Sequence, residues 1–207
     1  MLSFFKKNKN KNIRGKSYYD RENMIHNLGD FTTIFKPDSL AQYTSAETIV
    51  FSGIALSEID EKKINLEFKD PDFVLDEKEG LNGHKVLFYR HIVNSLIFLM
   101  QFHFLKGSFL FVSNATSSST LLSHSDKISF ANRIAKKYLS EDFIDFDKGL
   151  EIKISDKHNN YLNIKDGVNF RVDYVNNSEY NQALLKNPNL AKELLENNFD
   201  SKLDDYF

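Results

Sequence analysis

The sequence predicts an α+β fold, with helices packed on a small, mostly antiparallel sheet and a disordered basic tail at the N-terminus. Three observations carry this reading. Apolar residues recur at helical spacing in the first and middle parts of the chain, a period-two pattern runs from Leu150 to Tyr174, and the first sixteen residues have too little apolar surface to offset ordering. At about 150 residues per domain, 207 residues make one domain or two small ones, and 41% hydrophobic residues can fill a core. Lys6, Lys7, Lys9, Lys11, Arg14 and Lys16 give the tail +6, leaving 21 basic against 29 acidic residues, or −8, for the remainder. We therefore read 1–16 as a flexible tail and 17–207 as a single domain, with the hydroxyl-rich stretch 113–125 as the place where it could subdivide.

The elements follow in order. Ser17 with Asp20 opens a short helix whose stripe is Met24, Ile25 and Leu28, with Gly29 as its stop. After Lys36-Pro37-Asp38, Thr44 and Glu47 form a capping box, and Ala46, Ile49, Val50, Gly53 and Ile54 keep helical spacing, which predicts a helix over 44–59. A glycine inside it costs about 1 kcal/mol, so Gly53 is expected where this helix crosses the next. Ile64, Leu66 and Phe68 alternate with polar residues as a strand does, and Asp70-Pro71-Asp72 ends it. Residues 58–79 hold nine acids and four bases and read as an exposed acidic turn.

The most apolar stretch, Val86 to Leu105, is about as long as a bilayer crossing. Arg90, His91, Asn94, Ser95, Gln101 and His103 interrupt it, and arginine at a membrane centre costs about 2.5 kcal/mol or more. A buried helix over 85–105 with Gly107 as its stop is therefore predicted, with no membrane span. The rival is a hairpin of Leu96–Leu105 with Phe109–Val112 across Lys106-Gly107. Residues 113–125 read as a loop, Ser125 and Asp126 open a helix carrying Ile128, Ala131, Ile134, Ala135 and Tyr138, and alternation at 150–154, 162–164 and 168–174 predicts a three-stranded meander turning at Asp166-Gly167. Ser178 starts a final helix, Asn187-Pro188 restarts it with Leu190, Ala191, Leu194 and Leu195 on its apolar face, and the acidic end is expected to be mobile.

Chemistry is sparse. The absence of cysteine removes disulfides, thiol nucleophiles and thiolate-bound metals and fits a reducing cytoplasm. The six histidines show no metal-ligand spacing. Asp145, Asp147 and Gly149 start like a calcium loop, but Leu150 and Asp156 occupy positions that need glycine and glutamate. Asp147, Glu151 and Lys153 could form the acid–lysine cluster of a magnesium-dependent nuclease, although such alternation is common on a solvated strand. Ser117 to Ser119 lack a nucleophile elbow, and there is no glycine-rich phosphate loop. No catalytic, cofactor-binding or metal residues are assigned, and no cofactor is expected. Leu2, Phe4 and Phe5 precede the tail's cations and are too few for a secretory signal.

The order of a basic tail, the segment 44–59, the pattern Lys63 to Phe68, a spacer ending Leu81-Asn82-Gly83, a helix with Phe88-Tyr89-Arg90 near its start, and Gly107 before Phe109-Leu110-Phe111-Val112 resembles the N-terminal part of tailed-phage portal proteins over residues 40–128. The resemblance implies a non-enzymatic structural protein of the virion, self-associating into a ring through which DNA passes and assembled in the cytoplasm. Two alternatives stand beside it. One is a cytoplasmic immunity protein that meets a toxin's basic cleft with the carboxylates of 58–79. The other is the nuclease built on Asp147, Glu151 and Lys153. The six tail cations should contact nucleic acid or another anionic surface weakly. Deleting residues 1–16 is expected to abolish low-salt DNA binding in a filter or anisotropy assay, and binding by the full chain should fall steeply as salt rises.

Overall fold

Long strands, not helices, occupy the apolar centre of the chain. The computed structural model describes residues 14–36, 41–76, 81–118, 121–139, 150–187 and 189–190. The strands are β1 (Ala41–Thr44), β2 (Val50–Phe51), β3 (Ile54–Ala55), β4 (Phe73–Leu75), β5 (His84–Val93), β6 (Leu96–Leu105), β7 (Ser108–Ser118), β8 (Ile152–Ser155), β9 (Tyr161–Asp166) and β10 (Phe170–Val175). The helices are α1 (Lys16–Glu22), α2 (Leu28–Phe35), α3 (Glu61–Phe68), α4 (His124–Tyr138) and α5 (Glu179–Lys186). Eight strands form one sheet in the order β1-β8-β9-β10-β7-β6-β5-β4, and β2 and β3 form a separate small hairpin. Every pairing in the large sheet is antiparallel except β1 with β8. The fold is thus α+β, around a large sheet rather than the small one expected. That sheet draws strands from both sides of residues 113–125.

The predicted helix 85–105 is the β5–β6 hairpin, in register from His84 opposite Leu105 to Val93 opposite Leu96. Its aromatic and β-branched residues suit strands, and because both faces of its inner part are covered the run reads as continuously apolar, which hides the period-two signal. Asn94, at φ 55°, makes the turn, and Lys106-Gly107, at φ 49° and 78°, makes the next one into β7. The rival hairpin across Lys106-Gly107 is therefore the one present. Residues 113–118 are not loop but the far half of β7, all paired with β6 and, as far as Thr116, with β10 as well.

Residues 44–59 likewise form no α-helix, and only Leu56–Glu58 make a single 3-10 turn. Thr44 ends β1, the Ser45 hydroxyl accepts from Glu47 N (3.0 Å), and Ile49 N donates to the Asp156 carboxylate (2.9 Å). Gly53, at φ 84°, sits in the turn between β2 and β3, and a Cβ there would meet nothing within 4 Å. Its role is the left-handed turn, not a helix crossing. The predicted strand at 63–69 is α3, because Asp60 caps it by accepting from Lys63 N at 2.8 Å while Ile64 and Phe68, one turn apart, are buried and Leu66 lies exposed. The N-terminal helix is split in two, and Gly29 lies in the first turn of α2, behind an Asn27–Asp30 capping box, rather than ending a helix. The later elements stand close to expectation: α4 starts one cap earlier, at Ser123, the meander is β8–β9–β10, and Ser178 caps α5. Ala191, Leu194, Leu195 and the acidic end lie outside the described residues.

The sheet is covered on both sides. One face presents Leu87, Tyr89, Phe102, Val112, Ile164 and Val172 to Ile64 and Phe68 of α3, to Ala131 and Tyr138 of α4 and to the β2–β3 hairpin. The opposite face presents Val86, Phe88, Leu105, Phe111 and Val175 to Tyr19 and Ile25, to Phe31 and Ile34 of α2, and to Leu190. No helix among the described residues is long and apolar enough to cross a membrane. Phe102 is fully buried, with its ring within 5.4–6.5 Å of the rings of Phe51, Phe68, Tyr89 and Phe109. Phe102→Ala is expected to lower the unfolding free energy by about 3–5 kcal/mol in a urea titration.

Candidate functional site

Strand register assembles polar side chains on the face that carries the N-terminal helices. Cross-strand partners place Lys153, Asn163, Asp173, Ser113 and Gln101 in one row over five adjacent strands. The next row holds Lys165 opposite Arg171 opposite Ala115. Residues two apart on a strand share a face, so the two rows form one polar floor. Over it lies a cavity of about 360 Å³ lined by Gln101, Ser113, Lys165 and Arg171, with Glu22, Met24 and Glu151 among its walls and the turn Gly167–Asn169 at its edge.

The floor's charges are held from below. Asp173 is fully buried; Arg171 Nε stands 3.3 Å from its Oδ1, and Lys165 Nζ 3.7 Å from its Oδ2. Ion pairs removed from water are strong only when hydrogen bonds complete them. Among the described residues these atoms have none: both Asp173 oxygens, both Asn163 amide atoms, Ser113 Oγ, Gln101 Oε1 and Arg171 Nε lack a hydrogen-bond partner. The Gln101 side chain is oriented by its other end, where Nε2 donates to the Glu22 carbonyl at 2.7 Å. At the edge, Lys127 Nζ binds Asp166 (2.6 Å) and the Gly167 carbonyl (2.7 Å), tying the β9–β10 turn to α4.

The neighbouring row contains a second buried polar feature. His84 Nε2 and His103 Nδ1 lie 3.1 Å apart, His103 stacks on Phe111 at 4.1 Å, and Phe31 meets His84 edge-on. One ring must donate and the other accept, which requires the accepting ring to be neutral, and burial favours the neutral form of both. Burial pushes His84 down to about 4, and burial together with His84 pushes His103 well below the usual histidine range.

The residues singled out in the sequence are placed as follows. Lys6, Lys7, Lys9, Lys11 and Asp147 lie outside the described residues. Arg14 stands over the Tyr18 ring at 5.4 Å and Lys16 begins α1. Glu151 is exposed at the cavity wall, while Lys153, its pKa lowered by burial, rests 4.1 Å over the Tyr161 ring. They share the polar face with Asp173 but form no metal cluster; among the described residues no three histidines or acids are grouped to hold a metal ion. Sequence reasoning missed Asn163, Lys165, Arg171 and Asp173. They are the polar half of the alternation whose apolar half defined the meander. No protein-family model matches the chain, and neither does any curated protein or solved structure.

The histidines give a pH dependence of defined sign. The unfolded chain takes up protons near pH 6.5 while the folded His84 resists them until about 4, so the contribution is complete above pH 6.5 and is lost as pH falls toward 4. His84 alone should remove about 2 kcal/mol of stability between pH 7 and 5. Denaturant titrations are expected to show this fall in the natural chain and a shallower one in His84→Gln.

Proposed function

We propose that the chain is a non-enzymatic interaction protein and that its binding site is the cavity over the polar floor, where a small polar ligand completes the hydrogen bonding of Ser113 and Gln101. The observation that carries this reading is the concentration of buried, unpartnered polar atoms beside a cavity that could hold a ligand. Each such atom costs about 1–3 kcal/mol, and a group of them in one place suits a ligand that supplies the missing partners.

The two earlier partner classes draw less from the molecule. A portal-like role rests on helices at 44–59 and 85–105, which are strands and turns. For a toxin-blocking role the acids of 58–79 would need to be free, yet Glu58 pairs with Lys63 (3.3 Å), Glu61 with Lys85 (2.7 Å), Glu67 accepts from Ser52 (2.9 Å) and Asp72 accepts from Arg90 N (2.7 Å).

The reading is tested by NMR of the side-chain amides. A library of small polar compounds should contain binders that move the Asn163 and Gln101 amide signals together, and Ala115→Trp, which fills the cavity, should remove those shifts while the chain remains folded. Binders that leave both amides unmoved would place the site elsewhere.

A further inference from the structure

The charge arrangement narrows what the floor can hold. Arg171 turns its Nε toward Asp173, which leaves its two terminal nitrogens for the cavity; the side chain is 31% exposed, and that of Lys165, on the same carboxylate, 20%. A guanidinium held at its Nε by a buried acid presents a planar pair of donors, the geometry that receives a carboxylate two-pronged. Ser113 adds an unpartnered hydroxyl in the adjoining row. Asp173 neutralises one of the two cations, so the seat has a net charge of +1 and matches a single negative charge. The cavity wall has the opposite sign. Glu22 and Glu151 line it without an ion-pair partner among the described residues, whereas the third acid there, Asp166, is taken by Lys127. A doubly charged anion would meet both glutamates, and a plain cation would meet Arg171 and Lys165.

We propose that the cavity binds a small zwitterion, a molecule of the amino-acid class with one carboxylate on Arg171 and Lys165 and one ammonium facing Glu22 and Glu151. This rests on the reading of the floor as a binding site and adds the chemistry of its occupant. The ligand's carboxylate would accept from Arg171 and Ser113, and its ammonium would gain from both wall glutamates at once. Neither end alone can use the whole site.

The test compares probes of graded charge on the full chain: acetate, methylammonium, inorganic phosphate, and the zwitterions glycine and 4-aminobutyrate, by calorimetry with the Asn163 and Gln101 amides followed in parallel. At least one zwitterion should bind about tenfold or more tighter than acetate, with both amides shifting. Glu22→Gln/Glu151→Gln should bring the zwitterion down to the acetate level, while Arg171→Gln should abolish binding of both. Since Arg171→Gln leaves Asp173 with one cation, its fold is checked by thermal melting, and Lys165→Met is the second variant, expected to lose binding in the same way. Phosphate or methylammonium binding more tightly than both zwitterions with both amides shifting would overturn the zwitterion assignment and leave the cavity as a binding site. Binding that survives Arg171→Gln and Lys165→Met, or no binding by any of the five, would overturn it as well.

Discussion

Everything else in this fold depends on the pairing of β6 with β5 on one side and β7 on the other. All ten residues of β6 are in register with β5, and the strand is fully buried from Leu99 to Leu105. A strand buried on both faces cannot offer one of them to water, so each face has to be covered by a further layer. The β2–β3 hairpin, α3 and α4 cover one side; residues 16–36 and Leu190 cover the other. The register that aligns Phe102 for the first core also brings Gln101 and His103 to the second layer, because neighbours on a strand point to opposite faces.

How legible this was varied with how many faces an element buries. In the meander, Leu162 and Ile164 alternate with Asn163 and Lys165, and Val172 with Arg171 and Asp173, so period two survives. In β6, Phe98, Met100, Phe102 and Phe104 face one way and Ile97, Leu99 and Leu105 the other, which leaves only Gln101 and His103 as polar marks. A stretch of twenty residues with six polar interruptions fits a helical wheel as well as a hairpin, and the turn at Asn94-Ser95 lacks the glycine that would have announced it. The segment 44–59 failed for a different reason. Its capping-box residues are present, but Ser45 and Asp156 hold the backbone in turns, and Asp156 lies 107 positions from Ile49, beyond the reach of local pattern.

The site was half visible on the same logic. Polar alternation on a strand reads as a solvated face whenever the far layer is unknown, so Asn163, Lys165, Arg171 and Asp173 passed as surface. What changes their meaning is the N-terminal segment lying over that face: Gln101 reaches the Glu22 carbonyl, and Tyr161 donates to the Ile34 carbonyl at 3.1 Å. Glu151 and Lys153 were noticed because they are close in sequence, and they do share the face, but the other groups with which the floor is built sit on β6, β7, β9 and β10.

On the proposed reading, stability and recognition oppose each other on this face. Where residues 16–36 meet apolar strand positions, as Tyr19 does Phe73 at 4.8 Å with parallel rings, they seal the sheet. Between those contacts they leave a buried carboxylate whose ion-pair partners among the described residues are Arg171 and Lys165, both at more than 3 Å. An apolar residue at position 173 would remove that cost but leave Arg171 and Lys165 without their counter-charge, and the cations would turn outward to water. The acid is thus what keeps two positive groups aimed into a cavity. On the proposed reading, holding a charged guest is what that arrangement gains in return for its cost in stability.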